Sequence, residues 1–104
     1  MSRQALSDDG DIPAGGVPLK LTLGTAPLHF RGRIRAVDAT AADSILAPAE
    51  LEKRLLEMGF VEGAGVEIRH QGLFGGDPIA VRVHGATVAL RRREARAILV
   101  EKLD

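Results

Sequence analysis

Residues 74–93 read FGGDPIAVRVHGATVALRRR, and this stretch decides the fold that we expect. Apolar and polar residues alternate on both sides of His84-Gly85, which is typical of two antiparallel strands joined by a two-residue turn. Glycine at the second turn position supplies the positive φ that such a turn requires. A one-residue slip would turn the apolar residues outward, so turn and pattern predict the same register. The residues predicted to share the apolar face are Ile79, Val81, Val83, Ala86, Val88 and Leu90.

A helix is predicted just upstream, over residues 48–58. Pro48 suits its first turn, because the missing N–H would have no helical partner there. Gly59 can take the left-handed capping conformation, which places Phe60 to fold back onto the helix. The apolar stripe of the helix is expected to be Leu51, Leu55 and Met58.

The remaining pattern predicts a mainly β protein with one or two short helices. Strands are expected near 28–37, 66–70, 79–83, 86–90 and 98–102, with a single helical turn within 91–97. Leu19, Leu21 and Leu23 also alternate with polar residues, which suggests a short extra strand. Five antiparallel strands that close into a small barrel would have no exposed edges.

The domain organisation follows from length and composition. A chain of 104 residues with 45% hydrophobic content is expected to form one globular domain. Residues 1–18 contain aspartates, glycines and prolines but little periodic apolar content, so we expect a mobile tail there. The folded domain is then predicted to span residues 19–104.

Composition also excludes several functions. The formal net charge is zero, so the net charge of the molecule provides no electrostatic attraction to nucleic acid or to an anionic membrane. Only three phenylalanines supply aromatic rings, which counts against base stacking. The absence of cysteine removes disulfides and thiolate sites, and no apolar run approaches a membrane span. We therefore expect a soluble, cytoplasmic protein that neither inserts into membranes nor binds nucleic acid.

A search for chemistry finds no catalytic constellation. No serine stands in a nucleophile elbow, and the glycine-rich 72–77 stretch lacks the ending of a phosphate-binding loop, so a tight turn is expected there. The one weak alternative for a metal site combines His70, Asp77 and His84, two of which are expected on neighbouring strands. The prediction is a protein that is not an enzyme and that has no cofactor or metal.

Charge is asymmetric along the first predicted strand. His29 and the arginines at 31, 33 and 35 are expected on one face, and Leu28, Phe30, Ile34 and Ala36 on the other. Arginines commonly occupy the solvated side of antiparallel sheets, so a wet outer face is one interpretation. The other is a basic strip, continuous with residues 91–93, that docks on an acidic surface.

Motifs along half of the chain resemble the FeoA family, small cytosolic accessory proteins of bacterial ferrous iron uptake. The resemblance rests on the order and spacing of several elements, although Glu62 stands where a proline is common and Gly72 stands in a loop that often carries one. These elements are Arg54-Leu55, Gly59-Phe60, Gly63, Gly76-Asp77-Pro78, Gly85, Ala89-Leu90-Arg91 and Glu94-Ala95. The resemblance implies a small SH3-like antiparallel β-barrel.

The resemblance also implies a function. The expected partner is a FeoB-type permease, a membrane protein with a cytoplasmic G domain, on which this protein would dock and whose assembly or activity it would modulate. Candidate contact residues are Leu73 and Phe74, which are expected in a loop, with Arg82 and Arg91. The alternative is a free-standing metal-responsive module, since the barrel also resembles the C-terminal domain of iron-dependent repressors. Homo-oligomerisation is left open.

Overall fold

The computed structural model describes residues 21–103, so the tail predicted over 1–18 and Leu19 lie outside the described residues. The sheet has five antiparallel strands in the order β4-β3-β2-β1-β5. The elements in chain order are β1 (Arg31–Val37), a 3-10 turn (Ala39–Ala41), α1 (Pro48–Glu57), β2 (Gly65–Phe74), β3 (Asp77–Val83), β4 (Ala86–Leu90), α2 (Arg92–Ala95) and β5 (Ile98–Lys102).

The central hairpin has the predicted register. Ile79 pairs with Leu90, Val81 with Val88 and Val83 with Ala86. The turn residues His84 and Gly85 both have positive φ, 49° and 77°. Burial along this face is graded, because β4 is an edge strand in the sheet order: the β3 side chains and Leu90 are buried, Val88 is half-buried and Ala86, next to the turn, is exposed.

Helix α1 ends as predicted, at a glycine cap. Gly59 has a φ of 103°, its N–H donates to the Leu56 carbonyl at 3.0 Å, and the Phe60 N–H donates to the Leu55 carbonyl at 3.0 Å. This pair of hydrogen bonds is the Schellman motif, which satisfies carbonyls that the helix itself cannot pair. Phe60 is completely buried, so the cap fixes the direction in which the chain enters the core.

Strand β1 is shorter than predicted. Leu28 and His29 form a turn, in which His29 has a φ of 71° and the Phe30 N–H donates to the Pro27 carbonyl at 3.1 Å. A break in register between Ile34 and Ala36 then leaves Ala36 exposed. The prediction that Ala36 faces the core is therefore wrong, since strict alternation does not survive a bulge.

Strand β2 is longer than predicted and ends at Phe74 instead of near residue 70. The turn shrinks to Gly75 and Gly76, whose φ values are 68° and 73°, and Phe74 pairs with Asp77 across it. Leu73 and Phe74 thus end a strand and do not lie in a loop. Gly72 also lies in the strand, where a Cβ would overlap the Asp77 carbonyl group.

The barrel closes without a ladder between β4 and β5. In the described chain α2 joins these two edge strands, while residues 21–23 cover the free edge of β5. The Leu23 N–H donates to the Ile98 carbonyl at 3.0 Å, and the Val100 N–H donates to the Leu21 carbonyl at 2.9 Å. The predicted extra strand is therefore a single bridge, from Thr22 to Leu99. The fully buried large side chains are Phe60, Leu23, Ile34, Leu55, Ile68, Ile79, Ile98, Val81 and Val83.

One arginine connects α2 to the rest of the barrel. The Arg92 N–H donates to Asp77 Oδ1 at 2.8 Å, so a carboxylate from β3 caps α2. The Arg92 side chain donates to other segments, from Nε to the Gly76 carbonyl at 2.9 Å, from Nη1 to the Ala26 carbonyl at 2.7 Å and from Nη2 to Gln71 Oε1 at 2.9 Å. We call this network the Arg92 clamp. It joins the segment before β1, the β2–β3 turn and α2.

The Arg92→Ala variant is expected to lose about 2 kcal/mol of unfolding free energy, because hydrogen bonds from a charged donor are lost at several acceptors. For a domain of this size that is a fall in Tm of roughly 10 °C. Thermal and urea unfolding followed by circular dichroism will measure both quantities. Arg93, exposed in the same helix, supplies the control Arg93→Ala, which is expected to stay within about 0.5 kcal/mol of the parent. Equal stability of the two variants would contradict a structural role for the clamp.

A Gly72→Ala substitution is expected to destabilise the protein by about 1–3 kcal/mol, because the new methyl group has no room beside Asp77. Gly65, in the same strand, provides the matched control: its nearest atom to an added Cβ is 4.0 Å away. Urea unfolding of both variants will compare them. A Gly72→Ala protein as stable as Gly65→Ala would show that the β2–β3 ribbon yields at this point.

Candidate functional site

The end of the β2–β3 ribbon exposes two large apolar side chains. Leu73 is 95% exposed and Phe74 is 89% exposed, and they directly precede the Gly75-Gly76 turn. We call Leu73 and Phe74 the apolar tip. Within residues 21–103 only Ile45, at 93%, shows comparable exposure of a large apolar side chain.

The ribbon that carries the apolar tip is anchored at its base. Gln71, two residues before Leu73, accepts from the Arg92 guanidinium, and Gly76, two residues after Phe74, accepts from the same group. Gly72 packs against the Asp77 backbone between these contacts. The tip is therefore presented by an ordered ribbon. Order before binding reduces the conformational entropy that a partner would have to remove.

The structure brings one of the two candidate arginines to the same end of the barrel. Arg91 follows Leu90, which pairs with Ile79, so Arg91 stands next to the turn-proximal end of β3. Arg82 pairs with Thr87 and lies five residues beyond Asp77, roughly 16 Å along the strand. Leu73, Phe74 and Arg91 thus share one end, and Arg82 lies toward the other. Both arginines are exposed.

The basic strip on β1 is interleaved with acidic residues. Arg31 lies opposite Glu67 of β2, which in turn lies opposite Arg82 of β3, and Arg33 lies opposite Glu101 of β5. Cross-strand pairs of opposite charge are typical of a solvated sheet face. The side chain of Arg92 also turns toward Gly76 and Ala26. Residues 91–93 therefore do not form one outward-facing patch.

The structure does not bring together the three residues of the weak metal-site alternative. Asp77 begins β3 and His84 follows its last residue, so roughly 23 Å of extended strand separates them. His70 pairs with Ala80, between the two. Asp77 is also engaged as the cap of α2. In the part of the chain that the structure describes, no three potential ligands come close enough to hold a metal ion.

No helix within residues 21–103 has the length and apolar character needed to cross a bilayer.

The role of Arg92 is a feature that the sequence reasoning missed, although a signal was present. The predicted register pairs Ile79 with Leu90, and the same register continued by two residues pairs Asp77 with Arg92.

Comparison with known proteins agrees with the fold and the motifs. The family model of the FeoA domain matches residues 21–102. The FeoA of Stenotrophomonas maltophilia, crystallised with zinc and described as a procaryotic SH3 domain protein, is 33% identical. The match covers 78% of this chain and 89% of that one, with a TM-score of 0.63. The FeoA of Chlorobium tepidum is 28% identical over 81% of this chain and 71% of that one, with a TM-score of 0.65.

A third structure shows the fold alone. A manganese-dependent transcriptional repressor in complex with manganese is 22% identical over 84% of this chain and 38% of its own, with a TM-score of 0.64. A comparison with curated protein sequences gave no significant match. The predicted SH3-like barrel is confirmed by the five-stranded antiparallel sheet and by these structures. The chain therefore belongs to the FeoA family, which is linked to ferrous iron transport.

Proposed function

We propose that this protein is a cytoplasmic, non-enzymatic accessory protein of ferrous iron uptake that docks on the cytosolic region of a FeoB-type permease. Docking would modulate the assembly of the permease or its GTPase and transport activity. Two findings support the proposal: membership of a family that is linked to iron transport and is not a known enzyme family, and the exposed apolar tip. The tip is the observation that carries it.

An aromatic and an aliphatic side chain on an anchored ribbon suit protein recognition. Binding energy at protein interfaces concentrates in a few apolar or aromatic anchors that a partner's pocket desolvates. Leu73 and Phe74 bury almost nothing within the described barrel, so nearly all of their apolar surface is available to a partner. At about 25 cal/mol per Å², burying one such side chain contributes about 1.5–3 kcal/mol.

Arg91 supplies charge beside the apolar tip. A charged residue at the rim of an interface mainly accelerates association and selects a partner of opposite sign. The proposed contact on the permease is thus a pocket with an acidic edge. By binding one conformation of the G domain better than another, the barrel would shift the population between them.

The direct test is a binding measurement, by calorimetry or interferometry, between the full chain and the G domain of the FeoB-type permease from the same organism. Titrations with GDP, with a non-hydrolysable GTP analogue and without nucleotide are compared. Affinity that depends on the nucleotide supports regulatory docking. Absence of binding in every state, with the full-length permease also negative, would overturn the proposal and favour a free-standing regulatory module.

Phe74→Ala and Leu73→Ala are each expected to weaken permease binding at least tenfold, which corresponds to about 1.4 kcal/mol. Because both side chains are solvent-exposed in the barrel, Tm is expected to change little. Ile45→Ala is the matched control, since it removes an equally exposed apolar side chain from a different segment. If Ile45→Ala weakens binding as much as Phe74→Ala does, the docking surface is not at the tip.

Arg91→Glu is expected to slow association with the permease several-fold at low salt, and the effect should shrink toward 0.5 M salt as charges are screened. Arg82→Glu makes the same charge change toward the other end of β3 and is expected to leave the association rate within about twofold. Stopped-flow or interferometric association rates will compare the two variants. Equal slowing by both would indicate that overall charge, and not the tip end, guides docking.

A further inference from the structure

A cleft of about 470 Å³ lies where the described chain begins, apart from the apolar tip. Leu21, Leu28, Phe30 and Leu103 give it an apolar floor, and His29, Arg31 and Lys102 give it a basic rim. No acidic residue lines it. We call it the basic cleft. An apolar floor with a rim of one sign is suited to a short segment that carries the opposite charge next to an apolar side chain.

The basic rim is not neutralised by the folded domain. Over residues 21–103, the ion pair within 4.0 Å joins Glu67 to Arg69. Arg31 lies opposite Glu67 across the strands, yet that carboxylate approaches Arg69. Neither Arg31 nor Lys102 is therefore paired with a carboxylate of the described chain. The lining of the cleft is therefore positive although the whole protein has a net charge of zero.

We propose that residues 8–12 of this chain, Asp8-Asp9-Gly10-Asp11-Ile12, bind in the basic cleft of the same molecule. Three carboxylates match the basic rim, and Ile12 supplies an apolar side chain for the floor. All three acidic side chains among the first twenty residues lie in this segment, whereas the two basic ones, Arg3 and Lys20, lie outside it.

The chain length permits this contact. Leu21 itself lines the cleft, so the segment is tethered to the wall of its own binding site. The nine residues from Ile12 to Leu21 span up to about 30 Å when extended, which exceeds the width of a cleft of this volume. Pro13 and the Gly15-Gly16 pair are residues that favour a change of chain direction. A short tether also holds the local concentration of the segment at about millimolar, so even a weak contact is populated.

In this arrangement the segment covers the apolar floor and neutralises Arg31 and Lys102 at the rim.

Paramagnetic relaxation enhancement tests the contact in the full chain. Because the protein lacks cysteine, Ser7→Cys gives one attachment point for a nitroxide, next to Asp8. We expect the amide signals of Phe30, Arg31, Lys102 and Leu103 to lose more than half of their intensity. In 1 M NaCl the loss should fall several-fold, since screening weakens the ion pairs. Unattenuated cleft signals at low salt would overturn the proposal.

Substitutions on both sides of the contact separate charge pairing from simple proximity. Replacing Asp8, Asp9 and Asp11 by Asn leaves the folded domain untouched, and the attenuation at the cleft is expected to fall several-fold. Arg31→Glu with Lys102→Glu should do the same, whereas Arg35→Glu, on the same strand but outside the cleft, should retain it. Attenuation that survives the aspartate substitutions would overturn the proposed pairing.

A mixing experiment distinguishes binding within one molecule from binding between copies. Protein that carries the nitroxide but no ¹⁵N is mixed with ¹⁵N-labelled protein that carries no nitroxide. Any attenuation in this sample therefore arises between two molecules. We expect no attenuation in this sample up to about 0.2 mM, well below the effective concentration of the tethered segment. Attenuation as strong as in ¹⁵N-labelled protein that itself carries the nitroxide would show that the segment of a second copy fills the cleft. That result would overturn binding within one molecule.

Discussion

The end of the barrel is held together by Arg92, whose backbone N–H donates to the Asp77 carboxylate and whose guanidinium donates to the Gly76 and Ala26 carbonyls. The carboxylate thereby caps α2, and the guanidinium ties the β2–β3 turn to the segment before β1. A helix of four residues is too short to be stable alone, and it spans the one gap in the sheet, between β4 and β5. Only arginine supplies several donors in a planar fork that serves three acceptors at once. Barrel closure therefore rests on a polar network as well as on the apolar core.

The same network anchors the end of the β2–β3 ribbon, which carries the apolar tip. A two-stranded ribbon that extends beyond its sheet is marginal by itself, because it lacks a covering layer. Gln71 and Gly76 attach this ribbon to Arg92 just below Leu73 and Phe74. The Arg92 side chain, which helps to close the barrel, thus also holds the proposed docking surface in place.

Two surfaces of different chemistry emerge from a chain of zero net charge. The outer face of the sheet alternates arginine with glutamate across the strands, so it has little net field. The proposed docking end combines apolar surface with Arg91, whereas the basic cleft concentrates positive charge over an apolar floor. Overall composition hides this division, because net charge describes the sum and binding responds to the local arrangement.

The amino-acid sequence by itself determined the β3–β4 register, the glycine-capped helix and the family. The register follows from period-2 alternation around His84-Gly85, and the helix follows from its Pro48 start and Gly59 cap. The family follows from the order and spacing of short motifs along the chain. Only the tertiary structure decided the bulge that exposes Ala36 and the extension of β2 to Phe74. It also decided that Arg92 faces inward while Arg91 faces solvent. These features depend on contacts between residues far apart in the chain, such as Arg92 with Ala26, which no local pattern encodes.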